Sequence, residues 1–107
     1  NMREWQKVCA TGDIPLGEWH QSDMDGTTVV IYNVDGEFFA IEDVCTHDGA
    51  ILSGCPLEGD EVVCPRHGAR FSVKTGEALS APAWEATATF PIKIENDEIW
   101  VRDLRWD

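Results

Sequence analysis

The chain has 107 residues and a mass of 11.9 kDa, 43% of them apolar with five Trp and four Phe, which suits one globular domain over 1–107 and not a disordered segment. No run of eighteen apolar residues occurs, so no helical membrane span is expected. Twenty acids against eight bases leave a net charge of −12, which repels nucleic-acid phosphate and anionic lipid and favours partners with basic patches.

Taken in chain order, the pattern predicts short strands at 5–9 and 18–21 and then two longer ones. Residues 29–34 (Val-Val-Ile-Tyr-Asn-Val) and 37–41 (Glu-Phe-Phe-Ala-Ile) are joined by Asp35-Gly36, a strong hairpin signal because Gly accepts the positive φ of a tight turn. Short strands follow at 61–64 and 69–73. Residues 90–95 and 98–102 alternate apolar with charged side chains around Asn96-Asp97, predicting a second hairpin with one face buried. No segment holds a 3.6-residue period over ten residues. The expected fold is all-β, a sandwich or partly open barrel of about eight to ten short strands. Between residues 45 and 84 the many Gly and Pro predict loops held by that scaffold, where function usually sits.

The four cysteines are Cys9, Cys45, Cys55 and Cys64. Nothing at the start of the chain reads as a basic and then apolar leader, so disulfides are not expected and the thiols read as metal ligands or buried hydrophobes of a cytoplasmic protein. The histidines sharpen this. Cys45-Thr46-His47 and Cys64-Pro65-Arg66-His67 are two matched Cys/His pairs, with sixteen residues between His47 and Cys64. Structural zinc favours C-x2-C and H-x3–5-H spacing, and in an extended segment a C-x-H step points its two side chains apart. The spacing is less awkward when the two ligands serve different metal atoms, as in a [2Fe–2S] centre with thiolates on one iron and imidazoles on the other.

The pattern C-x-H-x16-C-x2-H, here CTHDGA…CPRHGARF, resembles the Rieske iron–sulfur signature, and the whole chain resembles the ferredoxins of bacterial ring-hydroxylating dioxygenase systems. The resemblance implies a Rieske-type β-sandwich of antiparallel sheets with a cluster-binding subdomain formed by two loops within about 43–84. It implies one [2Fe–2S] cluster on Cys45, His47, Cys64 and His67, with imidazole edges near solvent. A third, proline-containing loop over the cluster is similar in placement to Ser80-Ala81-Pro82-Ala83. It also implies a soluble, monomeric one-electron carrier, itself no enzyme, between a flavoprotein reductase and a terminal oxygenase. A small Rieske subunit of a larger reductase of the nitrite-reductase type is the alternative. A catalytic oxygenase component needs a mononuclear iron on two His and a carboxylate. Beyond the four ligands only His20 remains to supply one.

Departures from the respiratory Rieske pattern narrow the reading. Ala50 and Arg66 stand where a second Cys in each loop would form a bridging disulfide, and Ala69 and Phe71 stand where Ser and Tyr hydroxyls would donate to sulfur. Two thiolates leave an oxidised centre formally neutral where four would leave it doubly negative, so this ligand set raises the potential above plant-type ferredoxins. Without the hydroxyls the potential is expected near the low end of the Rieske range, about −150 mV. Away from the loops, His20 reads as a surface residue, Cys9 as a buried strand thiol and Cys55 as a spare beside a complete set. Arg66 and Arg70 read either as partners of local acids such as Asp48 or as a basic spot at a docking tip.

Overall fold

A computed structural model describes residues 3–64 and 68–105. Among the described residues ten strands follow one another: β1 Gln6–Ala10, β2 Trp19–Met24, β3 Thr27–Val34, β4 Glu37–Glu42, β5 Leu57–Glu58, β6 Glu61–Val63, β7 Arg70–Ser72, β8 Thr89–Phe90, β9 Ile92–Glu95 and β10 Glu98–Val101. They form three antiparallel sheets in the orders β1-β10-β9, β2-β3-β4-β8 and β5-β6-β7. The architecture is the expected all-β sandwich, with the third sheet and its loops as a smaller subdomain.

Turn chemistry sets the hairpins. Val34 faces Glu37 across Asp35 and Gly36, whose φ values of 53° and 93° make the turn whose twist matches its strands. Asn33 locks it: its side-chain oxygen accepts the Gly36 amide at 2.8 Å while its Nδ2 donates to the Ile14 carbonyl at 2.8 Å. Asn96 and Asp97, at φ 54° and 61°, turn β9 into β10 in the same way. A third turn of this kind, at Asp25 and Gly26 (φ 54° and 86°), carries β2 on to Met24, beyond the expected end at 21.

Two further differences have physical causes. The expected strand over 90–95 is two strands, because Pro91 has no N–H and breaks the ladder. Phe90 pairs with Ala40 of the central sheet, whereas Ile92 pairs with Val101 of the first. Strand β5, with only two residues between Pro56 and Gly59, carries too little pattern to read from sequence.

The central sheet is buried on both sides. Val29 and Ile31 of β3 pack with Cys9, Phe90, Ile99 and Val101 against the first sheet. Val30 and Tyr32 pack with Val62, Phe71, Cys45 and Cys64 toward the third. All four β3 side chains are fully buried, which explains why this strand reads as an unbroken apolar run. Each contributes about 1.5–3 kcal/mol of burial. The second of these cores holds the two motif cysteines.

Candidate metal centre

Two six-residue loops are built alike. In the first, the Cys45 amide donates to the Ala50 carbonyl at 2.7 Å and the Gly49 amide returns to the Cys45 carbonyl at 2.7 Å. In the second, the Cys64 amide donates to Ala69 at 2.8 Å and the Gly68 amide returns to Cys64 at 2.8 Å. Gly49 and Gly68 sit at φ 78° and 77°, a conformation that favours glycine. The shared C-x3-G-A text of the two motifs therefore encodes one backbone ring used twice. The same ring closes at Ser72, where the Gly76 amide donates to the Ser72 carbonyl at 2.8 Å and Gly76 has φ 77°. The ring is thus a scaffold, and what sets the first two apart is the cysteine that opens each.

Those cysteines are buried, Cys45 1% and Cys64 2% exposed, in one core cluster with Ala69 and Phe71. Burial pushes the Cys45 thiol up. The amides of His47 and Asp48, donating toward its sulfur, pull it back, and the Cys64 and Asp48 charges raise it further. A neutral thiol is a weak acceptor, so two amides aimed at one sulfur fit a thiolate held by a metal better than a free S–H. His47, two residues on, is exposed.

The loops are tied down by groups absent from the motif. Asp43, 4% exposed, accepts the Leu52 amide at 2.6 Å and the Ser53 amide at 2.7 Å on one oxygen, and Gln21 Nε2 at 2.7 Å on the other. The Tyr32 hydroxyl donates to the Leu52 carbonyl at 3.3 Å, and its pKa is pushed up chiefly by burial. The segment from Ser80 to Glu85 reaches both loops. Ser80 Oγ accepts the Arg70 amide at 3.1 Å and donates to the Gly68 carbonyl at 3.3 Å, while the Thr46 hydroxyl donates to the Glu85 carbonyl at 2.6 Å. This is the third loop expected at 80–83, and it carries a cis Ala81-Pro82 bond.

The other sequence candidates fall as follows. His67 and Arg66, with Pro65, lie outside the described residues. Among the described residues no three Cys, His, Asp or Glu side chains converge as a group able to hold an ion. All four cysteines are unbridged. Cys9 sits in the opposite core, where burial first and Asp13 second push its thiol up to about 11. Cys55 lies half-buried beside the motif pair, its thiol 3.7 Å from the Ile51 carbonyl and raised first by burial, then by Cys64. His20, half-buried on β2 opposite Ile31, is apart from the loops. Arg70 pairs with Glu58 at 3.1 Å and Glu61 at 3.5 Å, which favours the local-pairing reading. Asp43 and the Thr46–Glu85 bond escaped the sequence reading; the only trace of Asp43 is its place two residues before Cys45.

The Rieske [2Fe-2S] domain family matches residues 4–91. The chain belongs to this family. Among its relatives, the ferredoxin component of the naphthalene 1,2-dioxygenase system of Pseudomonas putida is 39% identical over 98 residues, covering 92% of this chain and 94% of that protein. The biphenyl dioxygenase ferredoxin subunit of Pseudomonas sp. (strain KKS102) is 42% identical over 96 residues, covering 89% and 88%. Among solved structures, a chain from the complex of reduced oxygenase and oxidized ferredoxin in carbazole 1,9a-dioxygenase superposes with a TM-score of 0.88 at 36% identity, covering 95% of this chain and 94% of that one. This Rieske chain is accordingly an electron-transfer component of the dioxygenase-system type and not a catalytic subunit. A Rieske domain implies a [2Fe–2S] cluster, and the buried cysteine pair with its amide donors fits one. No helix among the described residues is long and apolar enough to cross a membrane.

Proposed function

We propose that the chain, as one monomeric cytoplasmic domain over 1–107, takes single electrons from a flavin-dependent reductase and passes them to a terminal Rieske non-haem iron oxygenase. One [2Fe–2S] cluster would be held by Cys45, His47, Cys64 and His67, within loops spanning about 43–84. When bound, such a group gains and loses one electron at a time. The observation that carries the reading is the pair of equivalent loops, each presenting a buried cysteine, with His47 exposed beside the first. In this reading the buried thiolates hold charge away from water and the His47 imidazole leads outward to a partner. The backbone amides of residues 47 and 48 offset part of the burial that raises the Cys45 thiol, and a bound metal would supply the rest.

Purified protein should contain about two irons and two acid-labile sulfides per chain, show a rhombic EPR signal when reduced, and restore turnover when added between a flavoprotein reductase and a terminal oxygenase. Stoichiometric zinc without labile sulfide in freshly isolated protein would end the proposal.

A further inference from the structure

Large apolar side chains exposed on the described surface include Ile51 at 58%, Leu79 at 44% and Trp84 at 85%. Trp84 is the most open of these, and aromatic side chains carry the largest burial gains at interfaces. Its backbone is not a loose tip. Ala83 before it is 3% exposed, in the core shared with Cys45 and Cys64, and the carbonyl of Glu85 after it accepts the Thr46 hydroxyl at 2.6 Å. Ile51 follows Ala50, which closes the first cysteine ring. The Leu79 amide donates to the Arg70 carbonyl at 2.7 Å, next to the end of the second ring. All three side chains are therefore carried by backbone hydrogen-bonded to, or continuous with, the two loops.

We infer that Trp84 is the anchor of a docking face, to which Ile51 and Leu79 on the same loop-tied backbone contribute, for a protein partner that offers an apolar socket bordered by Lys and Arg. Charge selects this occupant. The chain carries −12 overall, and two exposed acids flank the residues in question, Asp48 after His47 and Glu85 after Trp84. A second copy of the chain would bring like charge to the same face, and anionic lipid would be repelled. A rigid aromatic in a desolvated pocket sets residence time, while the acidic rim sets the encounter rate. The inference deepens the electron-carrier reading and rests on it. The Thr46 hydroxyl ties the anchor segment to the residue next to His47, so a partner seated on Trp84 would lie close to the first cysteine loop.

The test uses the holo-protein with a flavoprotein reductase and a terminal oxygenase. Trp84→Ala should raise the KM for the carrier about 30-fold or more, with metal content, visible spectrum and reduction by dithionite unchanged. Trp84→Phe should recover most of the loss, and Ile94→Ala, exposed on β9 of the first sheet, should change nothing. An unchanged KM in Trp84→Ala with an intact spectrum would overturn the anchor while leaving the carrier reading in place. A wild-type chain that holds its metal yet reduces no oxygenase would overturn both. Sedimentation at low and high salt should show a monomer; a dimer lost in Trp84→Ala would give the face to a second copy and sink the inference.

Discussion

The carboxylate of Asp43 receives the amides of Leu52 and Ser53 on a single oxygen, at 2.6 and 2.7 Å, and so fixes the chain leaving the first cysteine loop to the end of the central sheet. Asp43→Ala leaves these buried amides without an acceptor and frees the Gln21 side chain. The expected cost is about 2–4 kcal/mol, seen as a fall in thermal midpoint of about 10 °C or more. Asp43→Asn, which keeps one acceptor oxygen, should lose less. Equal losses in both variants would mean that the charge, not the amide acceptor, matters.

The proposed ligands separate cleanly from the other thiols and imidazoles. Cys45→Ala, His47→Ala, Cys64→Ala or His67→Ala should abolish the normal visible and EPR signals. Cys9→Ala, in the opposite core, and His20→Ala, on β2, should keep iron and labile sulfide at wild-type content. Loss of metal in His20→Ala would refute the assigned set.

Glycines of the same conformation differ sharply in what surrounds them. At Gly76 (φ 77°) an added Cβ would run into the backbone carbonyl oxygen of Thr87, whose own amide donates to the Gly76 carbonyl at 2.8 Å. At Gly49 (φ 78°) nothing lies within 4 Å. Gly49→Ala should therefore cost only the left-handed strain of about 1–2 kcal/mol, whereas Gly76→Ala should fail to accumulate as folded protein. Urea denaturation and soluble yield distinguish the two, and similar behaviour would show that strain, not collision, governs both.

Ala69 and Phe71 are 1% and 0% exposed in the core of the two motif cysteines, and neither side chain can donate. A hydroxyl there would favour the reduced state, which carries one more negative charge. If about half of a charged hydrogen bond of roughly 1.5–3 kcal/mol is differential, Ala69→Ser or Phe71→Tyr should each raise the potential by about 30–65 mV. Protein-film voltammetry measures this. A potential unchanged or lowered while the new hydroxyl sits at a sulfur would refute the hydrogen-bond account of a low potential.

Asp103, 2% exposed, accepts both Nε (3.0 Å) and Nη2 (2.7 Å) of Arg105. The Arg105 hydrogen bonds hold its carboxyl below the usual carboxylate range. A carboxyl depressed on folding adds stability that is present above its unfolded value, near 4, and is lost as pH falls through the folded value. Arg105→Gln should thus cost about 1–2 kcal/mol at neutral pH, and the gap from wild type should close as the pH drops below about 4. Urea midpoints at both pH values check it; a gap independent of pH would assign the loss to packing of Arg105 over Phe90, 5.0 Å from its ring centre.

What could be read directly from the chain is what depends on near neighbours. Asp35-Gly36 and Asn96-Asp97 specify their turns because the left-handed φ values are a property of those residues. The β-rich run of β3 announced a strand, and the two Cys/His pairs announced metal chemistry because ligand type and spacing are local. Asp25-Gly26 was legible by the same rule, although the expected strand stopped before it. Tertiary structure decided the rest. Pro91 breaks a strand in two because the residues on either side find partners in different sheets. The amides that face Cys45 do so only once Gly49 closes the ring, and Thr46 meets Glu85 across 39 residues of chain. A hydrogen bond has no signature in the order of residues when the fold, and not the sequence interval, brings its donor and acceptor within reach.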